Sequence, residues 1–478
     1  MPENLDPPQN LSNVGNRVLP SMFELLMSVD FANGDPPGTG SEIVPRLATS
    51  WERIDDLTLE LSLRDDVVFH NGDPFTGADV KFSIERLIGE DVPAEIVNSK
   101  AAVATISSVE VVDDYTVRVI TAAPDPALEK RLAAMPAWIL PKAYFEEQGM
   151  EAFSQAPVGT GPYKFIELKA DDRLALDAHD GYWGGTPPAS NLTFRVIPET
   201  STRVTAIAGN EVQVITNVPP DQVSTLEESD GVGVNEVPLA NFHIIAFNTK
   251  NPAMADKRLR QALRLSIDRQ LLIDALWGGK ALLTRSAQTP VGWGSLYNEE
   301  RPYMEYDPDK AKALIEESGY DGTTITYANR PGYYTLGVEA GQAIVAMWQD
   351  LGLNAEYQNR EDLAWTEDLM VRTVSNGQHP GDPGTNFWRD WGPGGPYQRD
   401  FWTPENPRFN ELGTEALQAL DEDVRFSSYQ EMLDIWEDES PGTVLYNPIE
   451  NYGVREEIEW LPYSFWYLDF RSENLSFT

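Results

Sequence analysis

Apolar and polar residues alternate strictly from Leu57 to Leu63. This period of two residues predicts a β-strand with one buried face, placed in an antiparallel sheet or at a sheet edge. Residues 109–120 predict two more strands around an Asp-Asp turn, and residues 192–197 predict a further strand. Residues 242–248 are almost continuously apolar, which predicts a buried strand.

Four segments have the periodicity and the end signals of helices. Thr76 is placed to cap a helix over residues 77–87. Residues 258–269 repeat apolar positions along one side, and residues 306–319 end in a glycine, which favours helix termination. The fourth helix is predicted over residues 337–351, directly before a strand-like run. Because helices and strands alternate here, we predict an α/β lobe in this part of the chain.

The length and the charge of the chain limit its possible functions. A chain of 478 residues is too long for one hydrophobic core and indicates about three domains. The formal net charge is −40, from 76 acidic and 36 basic residues. Such a surface repels phosphate backbones and anionic lipid headgroups, so nucleic acid and membrane-surface partners are not expected. The charge favours solubility in a salty medium or, near a binding cleft, attraction of cationic ligands.

Enzyme signatures are missing from the sequence. It contains no cysteine, which excludes disulfides, thiolate metal sites and a cysteine nucleophile. The glycine-rich residues 34–40 are not followed by Lys and Ser or Thr, so they predict a solvated loop and not a phosphate-binding loop. We expect no enzyme activity, no cofactor and no metal, and we keep a glycoside hydrolase or a peptidase as the alternative from another class. The four histidines are scattered, at His70, His179, His243 and His379.

Five segments stand out along the chain: residues 47–82, which begin Leu47-Ala-Thr-Ser-Trp51, then Gly159-Thr-Gly-Pro-Tyr163, Tyr182-Trp-Gly-Gly185, residues 258–269 and residues 306–319. Taken in this order, they resemble the extracytoplasmic solute-binding proteins of peptide-type ABC importers. The resemblance implies an α/β fold: a two-lobed periplasmic-binding-protein clamshell with mixed sheets flanked by helices and an inserted subdomain. It implies lobe I from residues 1–44, 155–236 and 451–478, the inserted subdomain from residues 45–154, and lobe II from residues 237–450.

The same resemblance implies the soluble receptor of an ABC importer, which captures a small peptide or a peptide-like amine as its lobes close. An oligosaccharide is the runner-up ligand, because aromatic faces bind sugars as well as cations. The implied partners are the permease subunits of the importer, and we expect a monomer.

The expected location is the periplasm. No apolar run approaches the ~20 residues that a membrane span needs. The start Met1-Pro-Glu-Asn-Leu-Asp6 is polar and acidic, unlike a signal peptide. If the resemblance holds, the native signal has been left off and Met1 is an added start.

The strongest candidate for ligand recognition is Asp390. The family pattern has an aromatic residue three positions before an Asp and another aromatic residue after it, and Phe387, Asp390 and Trp391 match it, with Phe387 in place of the more usual Trp. In peptide-binding members the matching Asp pairs with the α-amino group of the ligand, so the resemblance makes Asp390 the predicted anchor for a cation. The alternative is that Asp390 caps a turn beside Gly392.

Further candidates lie in the same predicted lobe. Trp365 and Trp388 offer aromatic faces to a ligand, with ordinary core packing as the alternative. Arg372 is a candidate fork for a peptide carboxylate, as are Arg330 and Arg389, and a salt bridge is the alternative for each.

Near the N-terminus, Phe23 and Glu24 match a segment that lines the cleft in the family. Glu24 is therefore a candidate acceptor for a ligand amine. It also lies three positions after Ser21, the spacing of a capping box, so an equal alternative is that it helps to cap a short helix.

Overall fold

The structure, a computed structural model, describes residues 2–10, 12–90, 92–134, 137–377 and 381–478. The chain folds into two compact units. Unit 1 comprises Met1–Thr216, Ser224–Val237 and Tyr452–Thr478, and unit 2 comprises Asn217–Val223 and Pro238–Asn451. In the described part of the chain, no helix combines the length and apolarity needed to cross a membrane.

Strands and helices are mixed throughout both units. The strands are β1 Met27–Val29, β2 Ile43–Pro45, β3 Ala48–Asp55, β4 Thr58–Leu63, β5 Ile106–Asp113, β6 Thr116–Thr121, β7 Tyr163–Lys169, β8 Arg173–Ala178, β9 Asn191–Arg195, β10 Val214–Val218, β11 Val232–Pro238, β12 Asn241–Phe247, β13 Ile325–Asn329, β14 Ala355–Asn359, β15 Val371–Gly377, β16 Gly442–Tyr446, β17 Ile449–Arg455, β18 Ile458–Trp460 and β19 Leu475–Phe477.

The helices complete the framework of the two units. The α-helices are α1 Asn13–Val18, α2 Gly77–Glu85, α3 Leu128–Leu132, α4 Lys142–Gln155, α5 Thr200–Ala208, α6 Val223–Glu227, α7 Lys257–Leu265, α8 Arg269–Trp277, α9 Pro290–Trp293, α10 Pro308–Ser318, α11 Gly337–Asp350, α12 Phe387–Trp391, α13 Pro396–Asp400, α14 Arg408–Gln418 and α15 Glu422–Glu439. Short 3₁₀ segments are Pro7–Gln9, Leu19–Ser21, Ala94–Val103, Pro220–Gln222, Pro252–Met254 and Gly294–Leu296.

In unit 1, an antiparallel sheet with the strand order β3-β4-β6-β5 builds the first core. Leu59, Leu61 and Leu63 of β4 are buried while the residues between them are more exposed, which confirms the predicted one-faced strand. The hairpin β5–β6 confirms the two strands predicted over residues 109–120. Helix α2 packs beside this sheet and begins directly after Thr76, which confirms the predicted cap. The structure adds that Asp79 completes a capping box with Thr76.

The rest of unit 1 contains the antiparallel sheet β7-β8-β9 and the pairs β1-β2 and β18-β19. A further sheet has the order β10-β17-β11, and three of the chain's passages between the units fall within these strands. Apart from a short segment, unit 2 begins at Pro238 and ends at Asn451, against predicted limits of 237 and 450 for lobe II. The separation of residues 45–154 as a subdomain stays a prediction.

Unit 2 is built around a mixed five-stranded sheet with the order β14-β13-β15-β12-β16. Strand β13 is parallel to β14 and β15, and β12 is antiparallel to β15 and β16. All seven residues of β12 are buried, which confirms the predicted buried strand. Its alternate side chains enter different cores: Ile244 packs in one cluster, and Ile245 packs in the other. Both faces of this strand are therefore covered.

The helix predicted over residues 258–269 is wrong in its extent. Helix α7 ends at Leu265, and Arg269 begins helix α8 instead. The carboxylate of Asp268 accepts a hydrogen bond from the backbone N–H of Leu271, so it caps the new helix. The prediction of a helix that ends at Gly319 is confirmed, since Gly319 adopts φ = 69° after α10.

The capping box predicted at Ser21 is also wrong. The local helix, α1, lies before Ser21 and is capped by Ser12, whose side chain accepts from the N–H of Gly15. Ser21 ends a short 3₁₀ segment, and its hydroxyl has no hydrogen-bond partner among the described residues. Glu24 is therefore not a capping residue.

Candidate functional site

The short helix α12 carries Asp390 in unit 2. Asn386 caps the helix: its side-chain oxygen accepts from the N–H of Phe387, and its Nδ2 donates to the carbonyls of Gly292 and Asp382 at 2.8 and 2.9 Å. These bonds anchor α12 to the neighbouring loop and helix α9. The position of Asp390 is therefore set by a fully buried polar network.

Asp390 is 7 % exposed and already has partners. Its oxygens accept from Nε and Nη2 of Arg389 at 2.7 and 2.9 Å, and Nδ2 of Asn376 also donates to Oδ2. Burial would lower the pKa of Arg389, but the carboxylate of Asp390 outweighs burial and raises the pKa. The carboxylate of Asp390 thus forms an ion pair with Arg389 and a hydrogen bond with the amide of Asn376. These contacts differ from the predicted alternative, in which Asp390 caps a turn beside Gly392.

The rings on either side of Asp390 are packed in the core of unit 2. Trp391 is fully buried, with its ring centroid 4.6 Å from that of Tyr397 and 5.3 Å from that of Trp436. Phe387 is also fully buried and lies 5.8 Å from Trp293. In the structure, both rings pack against other side chains of the core of unit 2. Their contact with a ligand stays a prediction.

Trp388 and Trp365 are less deeply buried at the border of this core. Trp388 lies 6.2 Å from Phe409 at an interplanar angle of 33°. Trp365 lies 4.3 Å from Phe401, and the guanidinium of Arg372 stands 4.7 Å from the centroid of the Trp365 ring. The structure thus brings two predicted residues, Trp365 and Arg372, into direct contact.

Arg372 belongs to β15. A second polar residue on the same face of this strand was not predicted from the sequence. Arg372, Val374 and Asn376 occupy alternate positions of this strand, so they share one of its faces. Asn376 is the residue that binds Asp390. Asn376 could have been predicted from the two-residue alternation of side chains along a strand, once residues 371–377 had been recognised as a strand.

Two tyrosines near this face were also missed. The hydroxyl of Tyr397 donates to the carbonyl of Ser375 at 3.1 Å. Burial, followed by the charge of Asp390, holds the pKa of Tyr397 well above its ordinary value. Burial likewise raises the pKa of Tyr334 to about 12. Both phenols are therefore neutral at physiological pH.

Phe23 and Glu24 lie in unit 1. Phe23 is fully buried in a hydrophobic cluster. Glu24 is 1 % exposed, and its carboxylate accepts from the hydroxyl of Tyr182 at 2.6 Å and from Nη2 of Arg471 at 3.2 Å. Arg471 in turn binds Asp469 at 2.9 Å. In this structure the donors that Glu24 meets are internal, and a contact with a ligand amine stays a prediction.

A cavity of about 290 Å³ lies beside this network, within unit 1. Phe31 and Tyr463 form an aromatic wall, with ring centroids 5.1 Å apart. Arg46, Asp469 and Arg471 supply charged groups to its lining. The charges largely neutralise one another, since Arg46 binds Glu473 and Arg471 binds Asp469.

The described histidines do not form a metal centre. His70 and His179 both contact the carbonyl of Gly161, and His243 is buried in unit 2, while His379 lies outside the described residues. Over the ranges that the structure describes, no group of three or more His, Asp or Glu side chains could hold a metal ion.

Comparison with known proteins identifies the class of protein. Residues 42–398 match the family of bacterial extracellular solute-binding proteins, family 5 Middle, and the chain belongs to this family. The resemblance stated from the sequence is thereby confirmed.

Named relatives agree with this assignment. The dipeptide-binding protein of Escherichia coli (strain K12) is 27 % identical over 453 residues, which cover 88 % of this chain and 83 % of that protein. The haem-binding protein A of Haemophilus influenzae is 30 % identical over 311 residues, covering 61 % of this chain and 56 % of that protein.

The fold of the chain agrees with this family assignment as well. A dipeptide-binding protein from Pseudoalteromonas sp. SM9913, solved in complex with Met-Leu, superposes with a TM-score of 0.85 at 21 % identity, covering 100 % of this chain and 98 % of that chain. This likeness confirms the predicted α/β binding-protein fold.

Proposed function

We propose that this protein is the substrate-binding component of an ABC importer, and that its ligand is a small peptide or a peptide-like amine. The observation that carries the proposal is the family match over residues 42–398. Relatives named as dipeptide-binding and di/tripeptide-binding proteins support the ligand class. Closure of two lobes around the peptide would create the form that the permease subunits recognise.

The family also supports an extracytoplasmic location, which we propose to be the periplasm. A monomer and the domain limits 1–44, 155–236 and 451–478 for lobe I, 45–154 for the subdomain and 237–450 for lobe II are part of the same proposal. The oligosaccharide alternative gains no support from these relatives, and no feature of the described residues favours a glycoside hydrolase or a peptidase.

Within this proposal, Asp390 remains the anchor for the ligand's amine. A carboxylate has about four acceptor positions. Arg389 and Asn376 occupy three of them in the structure. An ammonium group can therefore join Asp390 as a further donor without displacing Arg389, and its own burial would be offset by the pairing.

A thermal-shift screen tests the ligand class. A ligand at a hundred times its dissociation constant stabilises the folded state by about 2.7 kcal/mol, which raises the melting temperature measurably. We expect di- and tripeptides to produce this shift, and glucose oligomers of similar size to produce none. A shift with the oligosaccharides alone would replace the peptide proposal with its alternative, and release of product from either would indicate an enzyme.

A substitution of Asp390 tests its role as the anchor for the ligand's amine. Asp390→Asn should weaken the binding of peptides with a free amino group by about 2 to 5 kcal/mol, measured by calorimetry, because it removes the charge that faces the ammonium. Asp66→Asn is the matched control: Asp66 also binds an arginine through two bonds, at 2.8 and 2.7 Å, but is exposed in unit 1. Equal affinity of the Asp390 variant and the wild type would exclude Asp390 as the anchor.

A further inference from the structure

The cavity of about 290 Å³ in unit 1 is lined by an arginine, Arg46, whose hydrogen-bonding edge is only half used. The edge that carries Nε and Nη2 of a guanidinium suits the two oxygens of one carboxylate. In the structure, Glu473 binds Nη2 of Arg46 through one oxygen, and the buried Nε has no acceptor among the described residues. A buried N–H without an acceptor is unfavourable, so this edge is incomplete.

The present partner of Arg46 is weakly held. The side chain of Glu473 is 50 % exposed, whereas that of Arg46 is 15 % exposed. A pair with one such exposed member contributes about 0.2 to 1 kcal/mol, so Glu473 turns into solvent at small cost. Burial and the nearby Arg471 would lower the pKa of Arg46. Glu24 and Glu473 outweigh them and raise this pKa, so the guanidinium stays charged.

Two carboxylates of the lining already have donors of their own. Asp469 accepts from the backbone N–H and from Nη1 of Arg471, at 3.1 and 2.9 Å. Asp30 accepts from the backbone N–H and from Nδ2 of Asn33, at 3.2 and 2.6 Å. Because Nε of Arg46 lacks an acceptor while these oxygens have donors, the site suits a ligand that supplies acceptors.

Aromatic rings form another part of the lining. The ring centroids of Phe31 and Tyr463 lie 5.1 Å apart, and that of Tyr467 lies 6.0 Å from Phe31. Together with Val29 and Val44, these rings offer an apolar surface to the body of a ligand. Ligand pockets usually measure ~300 to 1,000 Å³, so a cavity at the lower end of this range suits a small molecule.

The charges around the cavity distinguish between classes of anion. Three carboxylates, those of Asp30, Asp469 and Glu473, belong to the lining. They repel a doubly charged phosphate more strongly than a singly charged group, as does the net charge of −40 on the whole chain. A planar carboxylate carries a single charge, and the one incomplete edge of Arg46 is enough to hold it.

We infer that the unit 1 cavity binds a small monocarboxylate with an apolar or aromatic body, which displaces Glu473 and occupies both Nε and Nη2 of Arg46. The inference goes beyond the proposed function, because the lining contains none of the residues that the sequence predicted for peptide binding. It stands whether or not the ligand of the importer is a peptide.

A fluorine NMR titration with 4-fluorobenzoate tests this site, because it measures weak binding directly. We expect the wild type to bind 4-fluorobenzoate about tenfold more tightly than 4-fluorobenzyl alcohol, which has the same ring and no charge. Arg46→Gln should weaken the binding of the acid about 30-fold, and Arg46→Lys should retain part of the affinity, because it keeps the charge but loses the fork. Glu473→Gln should strengthen binding about threefold, because it removes the competing carboxylate.

Arg455 and Glu457 form the matched control pair in unit 1, with side chains that are 15 % and 43 % exposed. In this pair, Nε of the arginine has both oxygens of Glu457 as acceptors, each at 3.3 Å, so its edge is not left incomplete. Arg455→Gln and Glu457→Gln should therefore bind 4-fluorobenzoate with the affinity of the wild type.

Several results would overturn the inference. Absence of binding, or equal affinity for the acid and the alcohol, would show that Arg46 selects no carboxylate. Unchanged affinity in a folded Arg46→Gln variant would place the acid elsewhere on the protein. If circular dichroism shows that Arg46→Gln does not fold, Glu473→Gln decides alone: a gain in affinity supports the site, and no gain overturns it. Failure of every peptide to bind, measured separately, would overturn the proposed function and leave this inference intact.

Discussion

Arg471 and Glu24 form an ion pair inside unit 1, although 447 positions separate them in the chain. The side chain of Glu24 is 1 % exposed and that of Arg471 is 10 % exposed. Burial would lower the pKa of Arg471, but Asp469 and Glu24 outweigh it and raise the pKa well above its ordinary value. The pair therefore joins the N-terminal and C-terminal segments of unit 1.

Removal of one partner of this pair should destabilise the fold. We expect Glu24→Gln to lower the free energy of unfolding by about 3 kcal/mol, because Arg471 then loses one of its two carboxylate partners in a buried place. Urea unfolding followed by circular dichroism measures the effect. Glu42→Gln removes the same charge from an exposed side chain and should change stability by less than about 0.5 kcal/mol. If the two variants are equally stable, the ion pair between Glu24 and Arg471 contributes nothing to the free energy of unfolding.

The Glu24 pair shows which features the sequence can predict. The alternation of Leu57–Leu63, the cap at Thr76 and the stop at Gly319 depend on residues within a few positions, so their physical causes are visible locally. The partner of Glu24 is set by the tertiary fold. Nothing near Glu24 in the chain indicates that an arginine close to the C-terminus will reach it.

The candidate site was predictable only in part, for a similar reason. A family pattern located Asp390, but the adjacent Arg389 could have turned either to solvent or back onto the carboxylate. The structure shows that it turns back and forms an ion pair with Asp390. The aromatic pattern could not separate Trp391, which is fully buried, from Trp365, which supports Arg372. Large aromatic side chains suit a core and a cleft equally well.

A second test of stability concerns Arg269, which is 3 % exposed. Its Nε donates to the carbonyl of Val444 at 2.7 Å and its Nη2 to the hydroxyl of Thr443 at 2.7 Å, while burial lowers its pKa to about 9. We expect Arg269→Met to lower the free energy of unfolding by about 3 kcal/mol in urea titrations, because buried acceptors lose their donors. Arg258→Met, at an exposed arginine of the preceding helix, should cost less than about 1 kcal/mol. A stabilised Arg269 variant would show that desolvation of the charge outweighs its hydrogen bonds.

The net charge of −40 makes stability depend on salt. Repulsion among the carboxylates favours expansion of the chain, and the Debye length falls from about 10 Å at 0.1 M salt to about 3 Å at 1 M. We therefore expect the melting temperature at pH 7 to rise between 0.1 and 1 M NaCl, as measured by differential scanning fluorimetry. Near the sequence pI of about 4.3 the charges cancel, and the same addition of salt should have little effect. A rise of equal size at both pH values would point to a general effect of salt on hydrophobic burial.

Acidification should weaken the fold through His243, which lies buried in β12 with its ring 5.3 Å from Tyr334 and 5.4 Å from Tyr446. Burial lowers its pKa to about 4, whereas an unfolded histidine has a pKa of about 6.5. Between these pH values, His243 is protonated in the unfolded chain but neutral in the folded chain. The free energy of unfolding therefore falls as the pH drops from about 6.5 towards 4. The slope is at most about 1.36 kcal/mol per pH unit for one such group.

The variant His243→Phe isolates this contribution, because it keeps an aromatic ring and removes the titrating group. Urea unfolding at pH 7, 6 and 5 should show a shallower loss of stability for the variant than for the wild type, and the difference between them cancels the changes in all other charges. His70, whose pKa burial lowers to about 3, still titrates in both proteins and leaves a residual slope. Parallel stability curves for the two proteins would mean that His243 accepts a proton as readily in the folded state as in the unfolded state.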